Sequence, residues 1–358
     1  MKKKIIHFIF NLGRGGAETM MVRVIKELPE YEHVVVTLFP MNHWGDELRC
    51  DKLICLNLGS LFSLPLAVFK FRKLVNKEKP AIVHTHLFWP TVIARISVPK
   101  KIPVITTIHA FIKTSIEYKN WHVKFLDKLT FGLRKNIIIG VAKGVTDEYF
   151  SLLEVKPYKA YTLYTFVDTN RFNTAGKQER PVSPQFRVVS VGALRQQKNY
   201  PWAIKAFEKL KDQNIELHIY GVGVLQEELQ KQIDETGAKV VLKGEIKNIE
   251  AMIPQYDLYL MTSTYEGFSL SVLEAMAMGM PLLLSDISSF REQGEDTATY
   301  FSLIDENDLP AQVTAFSKKT KEELHNMAEK GRQRAVTHFT LPQHVEGLRK
   351  IYAEAVLA

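Results

Sequence analysis

Along this chain, short apolar runs of strand length alternate with stretches whose apolar residues recur at helical spacing. Lys4 to Phe10, HVVVTLF (33 to 39), IVHTH (82 to 86), VITTIHA (104 to 110) and IIIGVAK (137 to 143) read as strands of the first half. TMMVRVIKEL before Pro29, residues 61 to 79, residues 90 to 97 and GVTDEYFSLL read as the helices between them, the second of these broken near Pro65. A second series begins with RVVSVGAL (187 to 194). It continues through ELHIYG (216 to 221), VVLKGE (240 to 245), Leu258 to Met261 and LLLS (282 to 285), after which helices carry the chain out. Alternation of this kind predicts an α/β protein of doubly wound parallel sheets, with ligand sites at the carboxyl ends of the strands.

The chain has 358 residues, more than one growing core accommodates, so two domains are expected. The polar run NTAGKQERPVSP (173 to 184) has linker composition, which places a first domain at 1–168, a linker at 169–184, a second domain at 185–342 and a terminal helix at 343–358. The opening MKKKIIHFIFNL imitates a leader peptide, but its apolar run is short, contains His7 and passes into a glycine-rich loop, so it reads as strand one. No run approaches the roughly 18 apolar residues of a membrane span. Cys50 and Cys55 lack a metal-ligand pattern and read as free thiols in a reducing, cytoplasmic setting.

Charge is unevenly distributed. The net formal charge is +8, yet residues 1–168 hold 25 Lys plus Arg against 14 Asp plus Glu. Residues 61–79 and 111–136 mix aromatics, Trp121 and Phe125 among them, with lysines. Such segments either pack their aromatics inward with the lysines in water, or lie on an anionic membrane surface, which would place the protein at the inner face of the plasma membrane. No nucleic-acid motif accompanies the basic half.

Candidate chemistry concentrates in YDLYLMTSTYEGFSLSVLEAMAMGMPLLLSD (256 to 286), read as strand, loop, helix, strand. Ser269 or Ser271 caps the helix, and Gly279 with Pro281 ends it. The unpaired N–H groups at its start, around Ser269 and Leu270, suit a phosphate. Glu266 in the loop and Glu274 one turn into the helix can face the molecule that carries that phosphate. Arg195, Lys198 and their neighbours, in a loop after a strand, form a cationic clamp of the kind that holds phosphates. Gly13, Gly15 and Gly16 follow the first strand and permit close approach of a ligand, though the spacing is not a dinucleotide fingerprint. His109 lies at a strand end, whereas His84 and His86 alternate on one strand and read as packing residues rather than metal ligands.

Glu-Gly-Phe at 266 to 268, Glu-Ala-Met-Ala at 274 to 277 and Gly279-Met280-Pro281 resemble the signature of family 4 type retaining glycosyltransferases of the GT-B architecture. The loop Gly-Gly-Ala-Glu at 15 to 18 and the Gly221-x-Gly223 turn are similar to the same family. The resemblance implies two Rossmann-like domains facing a central cleft, the last helix crossing back onto the first domain. It implies hexosyl transfer with retention from a nucleoside-diphosphate sugar, UDP-sugar favoured and GDP-sugar the second choice, to a hydroxyl of a glycan or lipid-linked acceptor in cell-surface polysaccharide synthesis. No metal or other cofactor is implied, and no convincing Asp-x-Asp motif is present. The roles implied are Glu266 at the donor sugar, Glu274 at the ribose, Lys198 and Arg195 at the diphosphate, and His109 near the reacting sugar. Gly15, Gly16, Gly221, Gly267, Phe268, Ser269 and Leu270 would complete the donor site.

Two departures stand out. Ala193 occupies the position of the family's arginine in Gly-Arg-Leu-x-x-x-Lys, and Thr165-Phe166 replace an Asn-Gly pair before Val167-Asp168. The rival readings are a GT-B sugar-nucleotide epimerase or phosphorylase, and a non-catalytic module binding sugar-nucleotide or nucleic acid.

Overall fold

The computed structural model describes residues 2–60, 63–113, 117–174 and 184–357. It divides into two compact units, one of residues Met1–Thr165 with Pro342–Ala358 and one of Phe166–Leu341. In the first, strands β1 (Lys3–Ile9), β2 (Tyr31–Thr37), β3 (Lys52–Cys55), β4 (Ile82–His86), β5 (Val104–Ile108), β6 (Asn136–Gly140) and β7 (Lys159–Thr162) form one sheet in the order β3-β2-β1-β4-β5-β6-β7. Every pairing in it is parallel. In the second, β8 (Phe186–Val191), β9 (Ile215–Tyr220), β10 (Val240–Gly244), β11 (Leu258–Met261), β12 (Leu282–Ser285) and β13 (Thr299–Phe301) are ordered β10-β9-β8-β11-β12-β13, again all parallel.

The central strands β4, β6, β11 and β12 are buried throughout. Helices cover both faces of a parallel sheet, so such strands appear in the sequence as unbroken apolar runs. Phe207, Leu217, Leu260, Leu283 and Phe316 belong to the core of the second unit, and Phe8, Val34, Phe71, Val83 and Ile93 to a core of the first. One polar network lies inside the first unit. Arg95 pairs with Asp127, which also accepts from the hydroxyls of Tyr118 and Tyr149, all four side chains buried. Breaking such a buried pair by removing one partner costs about 3–5 kcal/mol, because the other charge is stranded.

The last helix, Leu341–Leu357, completes the first unit. Tyr352 Oη meets His84 Nδ1 at 2.7 Å, His344 Nδ1 donates to the Tyr164 carbonyl at 2.7 Å, and Arg349 pairs with Glu30 at 2.6 Å.

Several expectations need correction. Pro65 does not break a helix: it stands in the first turn of Leu64–Glu78, where no intrahelical N–H is lost. Strands β3, β7 and β13 were not expected, and β13 falls where only helices were. The aromatics of 111–136 divide, with Phe131 buried and Trp121 and Phe125 exposed. Most of the polar run assigned as a linker, residues 175–183, lies outside the described residues. Cys50 and Cys55, by contrast, are the free thiols expected.

Candidate active site

Strand order in the second unit reverses at the β8/β11 pair, so the loops leaving these two strands part around a crevice at the carboxyl edge of the sheet. The loop after β8 carries Lys198 and the loop after β11 carries Glu266. Lys198 Nζ and Glu266 Oε1 lie 2.7 Å apart, and Ser263 Oγ donates to the same oxygen at 2.8 Å. Both side chains are largely buried. Further bonds tie the two loops together. Thr262 Oγ1 donates to the Lys198 carbonyl at 2.7 Å, the Thr264 N–H to the Gln197 carbonyl at 2.9 Å, and Gln197 Nε2 to the Tyr265 carbonyl at 3.0 Å. A buried cation and a buried carboxylate are thus fixed against each other where a ligand of a doubly wound sheet would sit.

Glycine makes the neighbouring turn possible. Gly221 has φ +144°, and a Cβ there would stand 2.0 Å from the Gly192 carbonyl oxygen. A Cβ on Gly223 would stand 2.4 Å from the Leu194 carbonyl oxygen. The Gly221-x-Gly223 turn therefore lies backbone to backbone against the start of the Lys198 loop. The physical need for both glycines is this close approach.

The helix Leu270–Ala277 begins at Ser269, whose side chain makes no capping bond. Instead, buried Gln293 brackets the Ser269 backbone: its Oε1 accepts the Ser269 N–H at 3.0 Å, and its Nε2 donates to the Ser269 carbonyl at 2.8 Å. The Ser269 N–H is thereby engaged, and the helix's offer to an anion starts at Leu270. Gly267 is buried, and Phe268 packs edge-on against Phe339 with ring centres 5.1 Å apart. Glu274 is half-buried one turn into the helix. Arg171, bonded first to Glu250 at 2.9 Å, also feels the charge of Glu274, and its pKa is raised by both. Arg195 is exposed and forms no ion pair with a described residue.

In the first unit the candidate residues gather at β1, β4 and β5. Gly15 is the N-cap of the helix Gly16–Lys26, and a Cβ on it would meet the Glu18 carboxylate at 2.4 Å. That buried carboxylate folds back on the helix start, and burial raises its pKa. His109, just beyond β5, meets His86 Nδ1 through its Nε2 at 3.0 Å. Burial and the neighbouring His344 hold the His109 pKa down to about 3, so the ring is a neutral imidazole at neutral pH. Beside it lies a cavity of about 90 Å³ whose lining includes Phe88, Phe111, Tyr118, Asp127 and Tyr149.

Behind His109 lies a chain of imidazoles. His33 Nε2 lies 2.8 Å from the Leu28 carbonyl, to which it can only donate, so its Nδ1 accepts and His7 Nε2 must be the donor in their 3.0 Å bond. Ring nitrogens of His7, His84 and His86 lie within 4.8 Å of one another, a spacing that could gather around a transition-metal ion. However, both nitrogens of His84 are engaged, by the Tyr352 and Thr107 hydroxyls at 2.7 Å each, and one bond would have to be surrendered to a metal.

The structure thus pairs Lys198 with Glu266, places Glu274 in the electrostatic reach of Arg171, and sets His109 on His86. Ser263, Gln293, Arg171 and His86 went unrecognised as site residues in the sequence. Ser263 had a signal, a hydroxyl cluster three residues before Glu266 that reads equally as a strand stop. Gln293 had none, because its partner is 24 residues away.

Comparison with known proteins agrees with this fold. The model of glycosyltransferase family 4 matches residues 14–171, and that of glycosyl transferases group 1 matches residues 172–334. A Campylobacter jejuni N-acetylgalactosamine-N,N'-diacetylbacillosaminyl-diphospho-undecaprenol 4-alpha-N-acetylgalactosaminyltransferase is 25% identical over 300 residues, covering 80% of this chain and 82% of its own. An Escherichia coli UDP-Gal:alpha-D-GlcNAc-diphosphoundecaprenol alpha-1,3-galactosyltransferase is 26% identical over 327 residues, covering 85% and 83%. Among solved structures, Anabaena Alr3699/HepE in complex with UDP and glucose superposes with a TM-score of 0.82 at 17% identity, over 98% of this chain and 99% of that one. With consecutive family models spanning residues 14–334 and two doubly wound units of the GT-B kind, the chain belongs to the family 4, group 1 type of glycosyltransferases.

Proposed function

We propose that the protein is a retaining, metal-independent hexosyltransferase that uses a nucleoside-diphosphate sugar, UDP-sugar before GDP-sugar, and a hydroxyl of a lipid-linked glycan. The observation that carries the reading is the buried Lys198–Glu266 pair at the strand-order reversal. Once they part from each other, this carboxylate acceptor and this ammonium donor match the two ends of a hexosyl diphosphate. When the donor enters, Glu266 turns from Lys198 to sugar hydroxyls and orients the anomeric carbon without a covalent bond. Lys198, with Arg195 and the N–H groups from Leu270 onward, takes the diphosphate. These fixed donors stabilise charge as the C1–O bond to phosphate breaks. The acceptor oxygen then bonds C1 on the same face, and its proton passes to the departing phosphate. Glu274 holds the ribose, and Gly221, Gly267, Phe268 and the Ser269 hydroxyl shape the donor site.

Support for UDP comes from the complex of the Anabaena neighbour with UDP and from the UDP-Gal donor of the Escherichia coli relative. Support for a lipid-diphosphate acceptor comes from both bacterial relatives, which act on undecaprenol-diphosphate-linked sugars. The reading is tested by proton NMR of the product formed from an α-linked UDP-hexose by chelator-treated enzyme. A small anomeric coupling, α, is expected for a gluco or galacto sugar. A β product shows inversion, and activity lost to chelator and restored by a divalent ion removes the metal-independent mechanism.

A further inference from the structure

We propose that His7, His84 and His86 of the first unit form a binding site for one late first-row transition ion, Cu⁺ or Zn²⁺, held by imidazole nitrogens inside the fold. The inference stands apart from the functional reading, because these residues belong to a different unit from Lys198 and Glu266 and the ion takes no part in the transfer proposed above.

The ligands come from neighbouring strands. β1 and β4 pair in parallel with His7 opposite His84, and His86 follows His84 by two residues, so all three side chains leave the sheet on one face. One ring nitrogen of each lies within 4.8 Å of the others, and all three residues are buried. Metal–nitrogen bonds of about 2 Å require nitrogens about 3–4 Å apart, so small turns of the rings close the site.

Two of the rings hold a nitrogen ready for an ion. His7 Nδ1 and His86 Nε2 are buried without a hydrogen-bond partner among the described residues, whereas the other nitrogen of each ring is bonded. Nearly all buried polar atoms find partners, so two such atoms in one cluster point to a ligand. The tautomers agree. His7 gives its Nε2 hydrogen to His33, itself fixed by the Leu28 carbonyl, and the neutral ring therefore carries a bare lone pair on Nδ1. With its hydrogen on Nδ1, His86 donates to His109 Nε2 and presents a bare Nε2. Metal-binding histidines are arranged in this way, their second nitrogen donating to a fixed acceptor. His84 supplies the third nitrogen by exchange. As a neutral ring it accepts from one of its two hydroxyl partners, Tyr352 or Thr107, and that bond gives way to the ion. No proton leaves any ligand.

The surroundings narrow the choice of ion. The three imidazoles line a cavity of about 20 Å³, room for a single ion or a single water. Met20 and Met21 line it as well, and no carboxylate does. Neutral imidazoles beside thioethers suit copper or zinc, whereas Mg²⁺ and Ca²⁺ require oxygen donors. A bound ion also fixes the hydrogens behind it. His86 must then donate to His109, so the neutral His109 ring carries its own hydrogen on Nδ1.

The test uses the untagged full chain, stripped with chelator and titrated with Zn²⁺, with Cu⁺ under reducing conditions, and with Mg²⁺. One equivalent of Zn²⁺ or Cu⁺ should bind, and Mg²⁺ should not. Anomalous scattering from a crystal grown with the bound metal should give one peak among His7, His84 and His86. His7→Gln and His86→Gln should each weaken binding more than about 100-fold, since loss of an outer partner alone costs about 10- to 100-fold. His122→Gln, at an exposed histidine, should change nothing. The scattering measurement needs only the wild type, so it decides the matter even where a variant fails to fold. The proposal is overturned if neither ion binds stoichiometrically, if Mg²⁺ binds as tightly, if the peak lies elsewhere or the cavity holds only a water, or if folded variants bind as the wild type does.

Discussion

Lys198 and Glu266 neutralise each other in the donor-free protein, so each must exchange a 2.7 Å ion-pair contact for a ligand contact as the donor enters. Lys198→Ala removes a preorganised charge from the leaving diphosphate and is expected to slow transfer about 100-fold, as loss of one such contact usually does. Glu274→Ala should act differently. It removes a charged acceptor for the ribose and should weaken UDP binding about 10- to 100-fold with a smaller effect on turnover. Calorimetric titration of UDP into both variants, beside single-turnover rates, separates the roles. Unchanged affinity in Glu274→Ala would remove the ribose assignment, and a small rate effect in Lys198→Ala would return that lysine to an ordinary loop charge. At this scale the sequence was partly legible. The types and spacing of Glu266, Glu274 and Lys198 pointed to a donor site, but the bond from Ser263 and the bracket of Gln293 around Ser269 depend on contacts that no local pattern encodes. Arg195 illustrates the same limit. Its offset from Ala193 was visible, whereas its exposure follows from the path of the loop.

Elements were legible in proportion to their burial. Continuous apolar runs revealed β4, β6, β11 and β12 because both faces of each are covered. The strands that escaped, β3, β7 and β13, are sheet edges of three or four residues with much of their length half-exposed, so neither an apolar run nor a clean alternation marks them. The turn after β9 offers an element-scale test. Gly221→Ala sets a Cβ against a carbonyl oxygen that is itself backbone and cannot step aside, at a φ that L residues rarely adopt. It is expected to cost about 1–3 kcal/mol or more and to impair nucleotide binding, since the displaced segment leads into the Lys198 loop. Gly237→Ala is the control. Its φ is +65°, but nothing stands within 4 Å of the added methyl, so only backbone strain of about 1 kcal/mol is expected. Thermal melts with and without UDP compare the two. Equal effects would mean that the close approach at Gly221 carries no weight.

On the scale of the whole molecule, protonation bears chiefly on the first unit, with His218 the one histidine of the second whose pKa burial lowers among the described residues. His7, His33, His84, His86, His109 and His344 all lie in the first unit, and burial lowers the pKa of each, to about 3 for His109 and about 4 for His344. The unfolded chain titrates them near 6.5 and so binds more protons than the folded chain below that pH. Their contribution to stability is therefore complete above about pH 6.5 and is lost as pH falls toward their folded values. The thermal midpoint should decline steadily from about pH 7 to about pH 4, with loss of the first unit's structure leading. A midpoint flat across that window would show that these imidazoles are not held neutral.

The return of the helix Leu341–Leu357 to the first unit also sets an order on biosynthesis. A ribosome releases Phe166–Leu341 as one contiguous stretch, and that unit can close as soon as it emerges. The first 165 residues emerge earlier yet must wait, because His84, Tyr164 and Glu30 receive Tyr352, His344 and Arg349 only after the whole second unit has been made. Of the two units, the one begun earlier is thus finished later, and a nascent chain stalled just before residue 341 would carry a closed second unit and a first that still exposes the seat of the helix Leu341–Leu357.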